Sequence, residues 1–144
     1  MKILIEDLQK DEEEQIIIRC HQMTPELLRW LSMLKSQDSL IAYKGNEIHR
    51  IPPSRIYYIE AVDNKTFLYC KDNVFEIKQK LYELEDTLTI SDFIRISKSV
   101  ILNLSKITSL SPALNGRFEA TLENREKVIV SRQYVNTLKK KLGI

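Results

Sequence analysis

The stretch F-I-R-I-S-K-S-V-I-L-N, residues 93–103, sets the terms for the rest of the chain. Phe93, Ile94 and Ile96 are strand formers, interrupted by the charge of Arg95. Ser97, Lys98 and Ser99 then bring two hydroxyls around one ammonium, before Val100, Ile101 and Leu102 anchor the chain again. A short polar, basic loop held at both ends by apolar chain presents donors to an anionic surface. Phosphate oxygens and base edges both fit that description. The competing expectation is an ordinary strand-to-turn connection whose serines cap the next turn.

Downstream of this stretch the pattern stays β. Residues 107–114 lead into Asn115-Gly116, a dipeptide suited to the left-handed geometry of a tight hairpin. Residues 117–122 run back, with Phe118, Ala120 and Leu122 on one face and Arg117, Glu119 and Thr121 on the other. One more strand is expected over 128–130, and then a helix over 132–142, capped by Ser131 and closed by Gly143. Lys139, Lys140 and Lys141 fall in its last turn, where the helix dipole favours cations.

Upstream, 39–77 reads as short strands at close intervals. Strands 40–43 and 47–51 flank a Gly45-Asn46 turn, and 56–62 and 66–70 flank Asp63-Asn64-Lys65. Asp72-Asn73 turns again before 74–77. Residues 78–88 read as a helix with Leu81, Leu84 and Leu88 along one face. The first 38 residues have a different texture: strand-like 1–7 and 16–20 around an acidic turn, then Thr24-Pro25-Glu26, a strong helix start. Leu27, Leu28, Leu31 and Leu34 follow at helical spacing. This β-β-α segment, too small to be expected to fold alone, is expected to pack on the rest or on a second copy. The domain organisation is thus an extension over 1–38 and a main domain over 39–144.

The chain of 144 residues, 43% hydrophobic and 29% charged, is suited to a soluble globular domain. No apolar run approaches the ~20 residues that span a bilayer, and the start meets acids too soon for a signal peptide, so cytoplasmic is the expectation. Cys20 and Cys70, far apart in apolar runs, are expected to be free buried thiols, with neither a disulfide nor a metal site. His21 and His49 have no companion ligand. No phosphate loop, nucleophile elbow or zinc-protease motif is present, and Glu60 and Asp63 read as structural or surface carboxylates. Neither an enzyme nor a cofactor is expected. The net charge of +2 hides an asymmetry: −3 over 1–38, −2 over 39–92 and +7 from residue 93 onward. A basic last third on a near-neutral chain points to a polyanion.

Taken together, I-Y-Y-I-E-A-V-D-N-K-T at 56–66, L-Y-E-L-E at 81–85, F-I-R-I-S-K-S-V-I-L-N at 93–103, N-G-R at 115–117 and V-S-R-Q-Y at 130–134 resemble the LytTR-type DNA-binding domain of bacterial transcription regulators. The resemblance covers residue 39 to the C-terminus. It implies a mainly β fold with short helices (α+β), small antiparallel sheets packed in layers, and DNA reading of direct repeats by loops rather than by a recognition helix. Matched motif by motif, it implies contacts from Asn64, Lys65 and Thr66, from Ser97, Lys98 and Ser99, and from Arg132, the leading base reader. Arg132 also fits on independent grounds, since its planar fork can bond guanine O6 and N7 together. Arg95, Arg117 and Lys139 are candidates for phosphate contacts.

The expected molecule is therefore a regulator of the freestanding type, with no receiver domain ahead of the match. Double-stranded DNA is the expected partner, in a homodimer whose dimerisation element is the 1–38 segment. A membrane-protein regulator is a partner that only the resemblance suggests. Two rivals differ in what they predict. A protein-docking module using its basic C-terminal face for an acidic partner would not retain DNA at physiological salt. An RNA-binding β-domain would prefer single strands and stack bases on aromatics, of which the basic third holds only Phe93, Phe118 and Tyr134.

Overall fold

The computed structural model describes residues 2–35, 39–88 and 92–144. The chain divides into two compact units, Met1–Leu34 and Lys35–Ile144. The boundary expected after residue 38 falls on 36–38, outside the described residues.

In the first unit the helix forms as its cap predicts. The Thr24 hydroxyl accepts from the Leu27 amide at 3.1 Å, and α1 runs over Pro25–Lys35. The two expected strands do not form: residues 2–24 join no ladder. They make two legs without regular structure around a turn, in which the Glu12 amide donates to the Gln9 carbonyl at 3.1 Å. The residues have strand propensity, but a strand is a pairing, and here each leg lacks its partner backbone. None of the side chains from 2 to 31 is buried, and Ile3, Leu4, Ile5, Ile16 and Ile17 are all more than 60% exposed. Cys20 is exposed as well, against the expectation of a buried thiol.

The second unit is built on a seven-stranded antiparallel sheet. Its strands are β1 (Leu40–Lys44), β2 (Glu47–Ile51), β3 (Tyr58–Val62), β4 (Lys65–Tyr69), β5 (Val74–Ile77), β6 (Phe93–Arg95) and β7 (Val100–Asn103), in the order β2-β1-β5-β4-β3-β7-β6. The turns follow the local chemistry. Lys44 pairs with Glu47 around Gly45, which takes a positive φ. Val62 pairs with Lys65, leaving Asp63 and Asn64 (φ 50° and 64°) as a two-residue turn of the mirror-image type that matches strand twist. A second sheet of β8 (Ile107–Pro112), β9 (Phe118–Leu122) and β10 (Lys127–Val130) has the order β10-β9-β8. Its first hairpin is wider than Asn115-Gly116 alone suggests, because pairing stops at Pro112 and Phe118.

Two apolar cores hold these layers. α2, Leu81–Thr87, starts later than expected and seats Leu81, Leu84 and Leu88 with Ala42, Ile59, Leu68 and Ile101. α3, Val135–Leu142, places Val135 and Leu138 with Leu102, Ala120, Leu122 and Val130. Neighbouring residues of one strand serve opposite cores: Phe93 and Ile94 in β6, Ile101 and Leu102 in β7. The period of two along a strand makes this sharing automatic. Asn103, at 2% exposure, closes β7 with its Nδ2 donating to the Ile56 carbonyl at 2.8 Å and its Oδ1 accepting from the Ser105 amide and hydroxyl. Cys70 is buried, which pushes its thiol pKa up despite the opposing pull of Arg55 and Lys106. Among the described residues, no helix is long and apolar enough to cross a membrane.

Candidate nucleic-acid interface

Backbone hydrogen bonds join three stretches that are far apart in sequence. The loop between β6 and β7 is closed by the Ile96 amide donating to the Val100 carbonyl at 3.0 Å. From the β3–β4 hairpin, the Ala61 amide donates to the Ser99 carbonyl at 2.9 Å, two residues before the Asp63-Asn64 turn. From the other side, the Ser131 amide donates to the Ile96 carbonyl at 2.8 Å, next to Arg132. The hairpin turn, the serine-lysine-serine loop and the start of the last helical segment therefore lie side by side.

The side chains at this edge differ in how far they are engaged. Asn64, Lys65, Lys98 and Arg132 are exposed. Thr66 is not: it pairs with Ala61 and Ile77, and at 6% exposure its side chain sits in the core. The turn ends one residue earlier than the D-N-K-T sequence suggests, so alternation along β4 sends Thr66 inward, out of reach of a base. Within the loop, the Ser97 hydroxyl accepts from the Ser99 amide at 3.2 Å. Lys98 and Arg132 take part in none of the ion pairs seen among the described residues, whereas Lys106 and Lys127 face Glu123 and Glu119 at 3.7 and 3.5 Å.

Arg132 does not open a regular helix. It begins a 3-10 turn, Arg132–Tyr134, closed by the Tyr134 amide on the Ser131 carbonyl, with α3 following; the Ser131 side chain makes no cap. The support for Arg132 comes from Gly116 in the β8–β9 turn, where an added Cβ would stand 3.0 Å from Arg132 Cδ. Gly116 also holds φ at +75°, so the turn can pass under the arginine stem only without a side chain. Arg117 is exposed, but its Nε donates to the Leu114 carbonyl at 3.1 Å and braces that same turn. Lys139 lies over the Phe118 ring at 5.1 Å.

Arg95 is the most committed of the candidates. It is half-buried, and each of its guanidinium nitrogens has an acceptor: Nε the Ser97 carbonyl, Nη2 the Lys98 carbonyl, and Nη1 the Glu85 carboxylate of α2. Sequence reasoning missed the roles of Gly116 and Glu85. The signal for Glu85 was faint, a carboxylate ten residues before the arginine across a helix-to-strand connection. Glu60, expected to be structural, accepts from the Tyr69 hydroxyl at 3.3 Å.

The comparisons with known proteins agree on one family. The LytTr DNA-binding domain profile matches residues 46–143. The sensory transduction protein LytT of Enterococcus faecalis is 31% identical over 99 residues, which are 69% of this chain but only 41% of that protein. A Staphylococcus aureus (strain MSSA476) protein described as an uncharacterized HTH-type transcriptional regulator is 30% identical over 138 residues, covering 94% of this chain and 93% of its own length. Among solved structures, a Bacillus cereus LytTr DNA-binding domain superposes with a TM-score of 0.70 at 29% identity, over 74% of this chain and 98% of that one. Despite the "HTH-type" label of the relative, α1, α2 and α3 are separated in this chain by strands. The chain belongs to the LytTr DNA-binding domain family.

Proposed function

We propose that this protein is a transcription regulator that reads direct-repeat sites in duplex DNA through the edge formed by the Asp63-Asn64 turn, the 97–99 loop and Arg132. The observation that carries the reading is the pair of backbone hydrogen bonds, Ala61 to Ser99 and Ser131 to Ile96, which bring all three together. Arg132 supplies the bidentate fork for guanine. Lys98 and Lys65 act as point charges, and Asn64 and the two serines as neutral donors. The charge asymmetry of the chain agrees with this polarity. The rival reading, docking of an acidic protein, uses the same charges but assigns no task to the junction of the loops.

Selection from a random duplex pool, followed by sequencing, tests it. The expected product is one short motif repeated in the same orientation at a spacing of roughly one helical turn, about 10 bp. Enrichment of no motif, with binding abolished by moderate salt, would reduce the contact to electrostatics and favour protein docking. Preference for single-stranded RNA would favour the third reading.

Residues 1–38 are, on the same proposal, the dimerisation element. A segment whose described side chains, residues 2–31, are none of them buried, and with this much exposed isoleucine and leucine, gains little by folding alone. A second copy suits the sequence of its first leg. Antiparallel self-pairing centred on Leu4 sets Lys2 against Glu6 on both sides and Ile3 against Ile5. Deletion of 1–38 is expected to leave a monomer of the truncated chain by light scattering, and a truncated chain that still measures as a dimer would discard the assignment.

A further inference from the structure

Arg95 stands inside the candidate interface, yet it is turned away from any partner. Its Nε and Nη2 donate to the carbonyls of Ser97 and Lys98 at 2.8 and 2.6 Å, and Nη1 meets Glu85 Oε2 at 2.9 Å, the arginine side chain being 21% exposed. Two carbonyl oxygens two and three residues ahead in the chain are thus gathered onto one planar fork, and its charge is balanced by a carboxylate from α2. We propose that Arg95 is a positioning residue and not a phosphate contact: it clamps the 97–99 loop in the shape that presents Lys98 and the loop hydroxyls to DNA. The inference rests on the DNA-reading role proposed for this loop and deepens it.

The physics favours a clamp over a contact. An anion approaching this loop would be repelled by carbonyls turned outward, so the loop must hold them turned inward. The guanidinium does so from within the fold, at a fixed angle that a flexible ammonium cannot reproduce. Its hydrogen bonds are charge-assisted, which places them among the stronger ones available. The loop's other ties, Ile96 to Val100, Ala61 to Ser99, Ser131 to Ile96 and the Ser99 amide to the Ser97 hydroxyl, leave the carbonyls of Ser97 and Lys98 to Arg95. Glu85 links the loop to α2, so helix and loop move together.

The test compares wild type with Arg95→Lys and Arg95→Gln, each in the full chain, on the selected duplex at several salt concentrations and by hydrogen exchange. A clamp predicts a loss of specific affinity of about tenfold or more in both variants. The slope of log K against log salt stays that of wild type, because no phosphate contact is removed. Amide exchange across 97–99 accelerates, while Asp63-Asn64 and Arg132–Tyr134 keep their protection. A phosphate contact predicts the opposite pattern: a slope shallower by about one unit in Arg95→Gln, rescue by Arg95→Lys, and unchanged exchange. That pattern would overturn the proposal. Should Arg95→Gln fail to fold, Arg95→Lys, which keeps the charge and loses the fork, carries the comparison alone. If wild type selects no motif, the DNA reading fails separately, and unchanged exchange at 97–99 in Arg95→Lys would still sink the clamp.

Discussion

Arg132→Ala is expected to weaken binding to the selected duplex by roughly 1–3 kcal/mol, and to relax base preference at one position of each repeat while leaving the others intact. The expectation follows from how the residue is held. Arg132 is exposed and in none of the ion pairs among the described residues, so its fork is not already committed. Its stem rests against Gly116, which limits where the head can go. Arg132→Lys should fail to restore the preference, since an ammonium cannot bond two acceptors on one base edge at fixed geometry. Gly116→Ala should reproduce part of the loss without touching the arginine itself, by displacing the stem. Selection and sequencing of the variants decides the matter. Weakening that is uniform across all sequences, with a shallower salt dependence, would demote Arg132 to a phosphate contact.

Asn103→Leu is expected to cost at least about 1–3 kcal/mol of folding stability, read as a lower urea midpoint with little change in slope. The leucine keeps the branching at Cγ but is bulkier, so overpacking adds to the lost hydrogen bonding. The Ile56 carbonyl, in a residue with no exposed surface, loses its side-chain donor, while exposed Ser105 can turn to water. Asn103→Asp makes a sharper version of the same test. An aspartate there has no donor for Ile56 unless protonated, so burial raises its folded pKa above the ordinary ~3.9. Its penalty is therefore absent below the unfolded value and complete above the raised one. The variant should approach wild-type stability in acid relative to neutral pH. A deficit that does not change with pH would mean that the amide's shape, not its proton, is what the site needs.

Much of the second unit was legible because its signals are local. Gly45-Asn46 and Asp63-Asn64 dictate turns that only a few backbone shapes satisfy, and the strands between them alternate cleanly. Leu81, Leu84 and Leu88 declared the buried face of α2. The misreadings share a cause: each depended on a partner elsewhere in the chain or outside it. The legs of the first unit have the composition of strands, but composition does not supply a neighbouring strand, and Cys20 went with them. Thr66 read as the first residue of a strand and was counted among the contacts only through the resemblance; the register with Ala61 and Ile77 put its side chain inside. Ser131 has the chemistry of a cap, yet its carbonyl rather than its hydroxyl closes the following turn. Arg95 looked like a free charge interrupting a strand, since nothing in the sequence draws Glu85 to it. For the candidate interface, the residue types were readable and their adjacency was not. Ser99 and Ser131 were quoted as separate motifs, and only the backbone bonds to Ala61 and Ile96 make them neighbours.

Because Ile101 and Leu102 belong to different cores, β7 cannot peel away from one without abandoning the other. The loop that precedes β7, and through it the hairpin turn and Arg132, are fastened to a strand held by both cores. The hydrogen-bonded amides that fasten it, those of Ala61, Ile96 and Ser131, should therefore be among the slower ones to exchange. A ligand arriving there meets a template already set, with little ordering entropy to lose on the protein side. On the proposed reading, any bending or groove adjustment needed for fit would then fall to the duplex, and its sequence-dependent stiffness would become part of what is recognised.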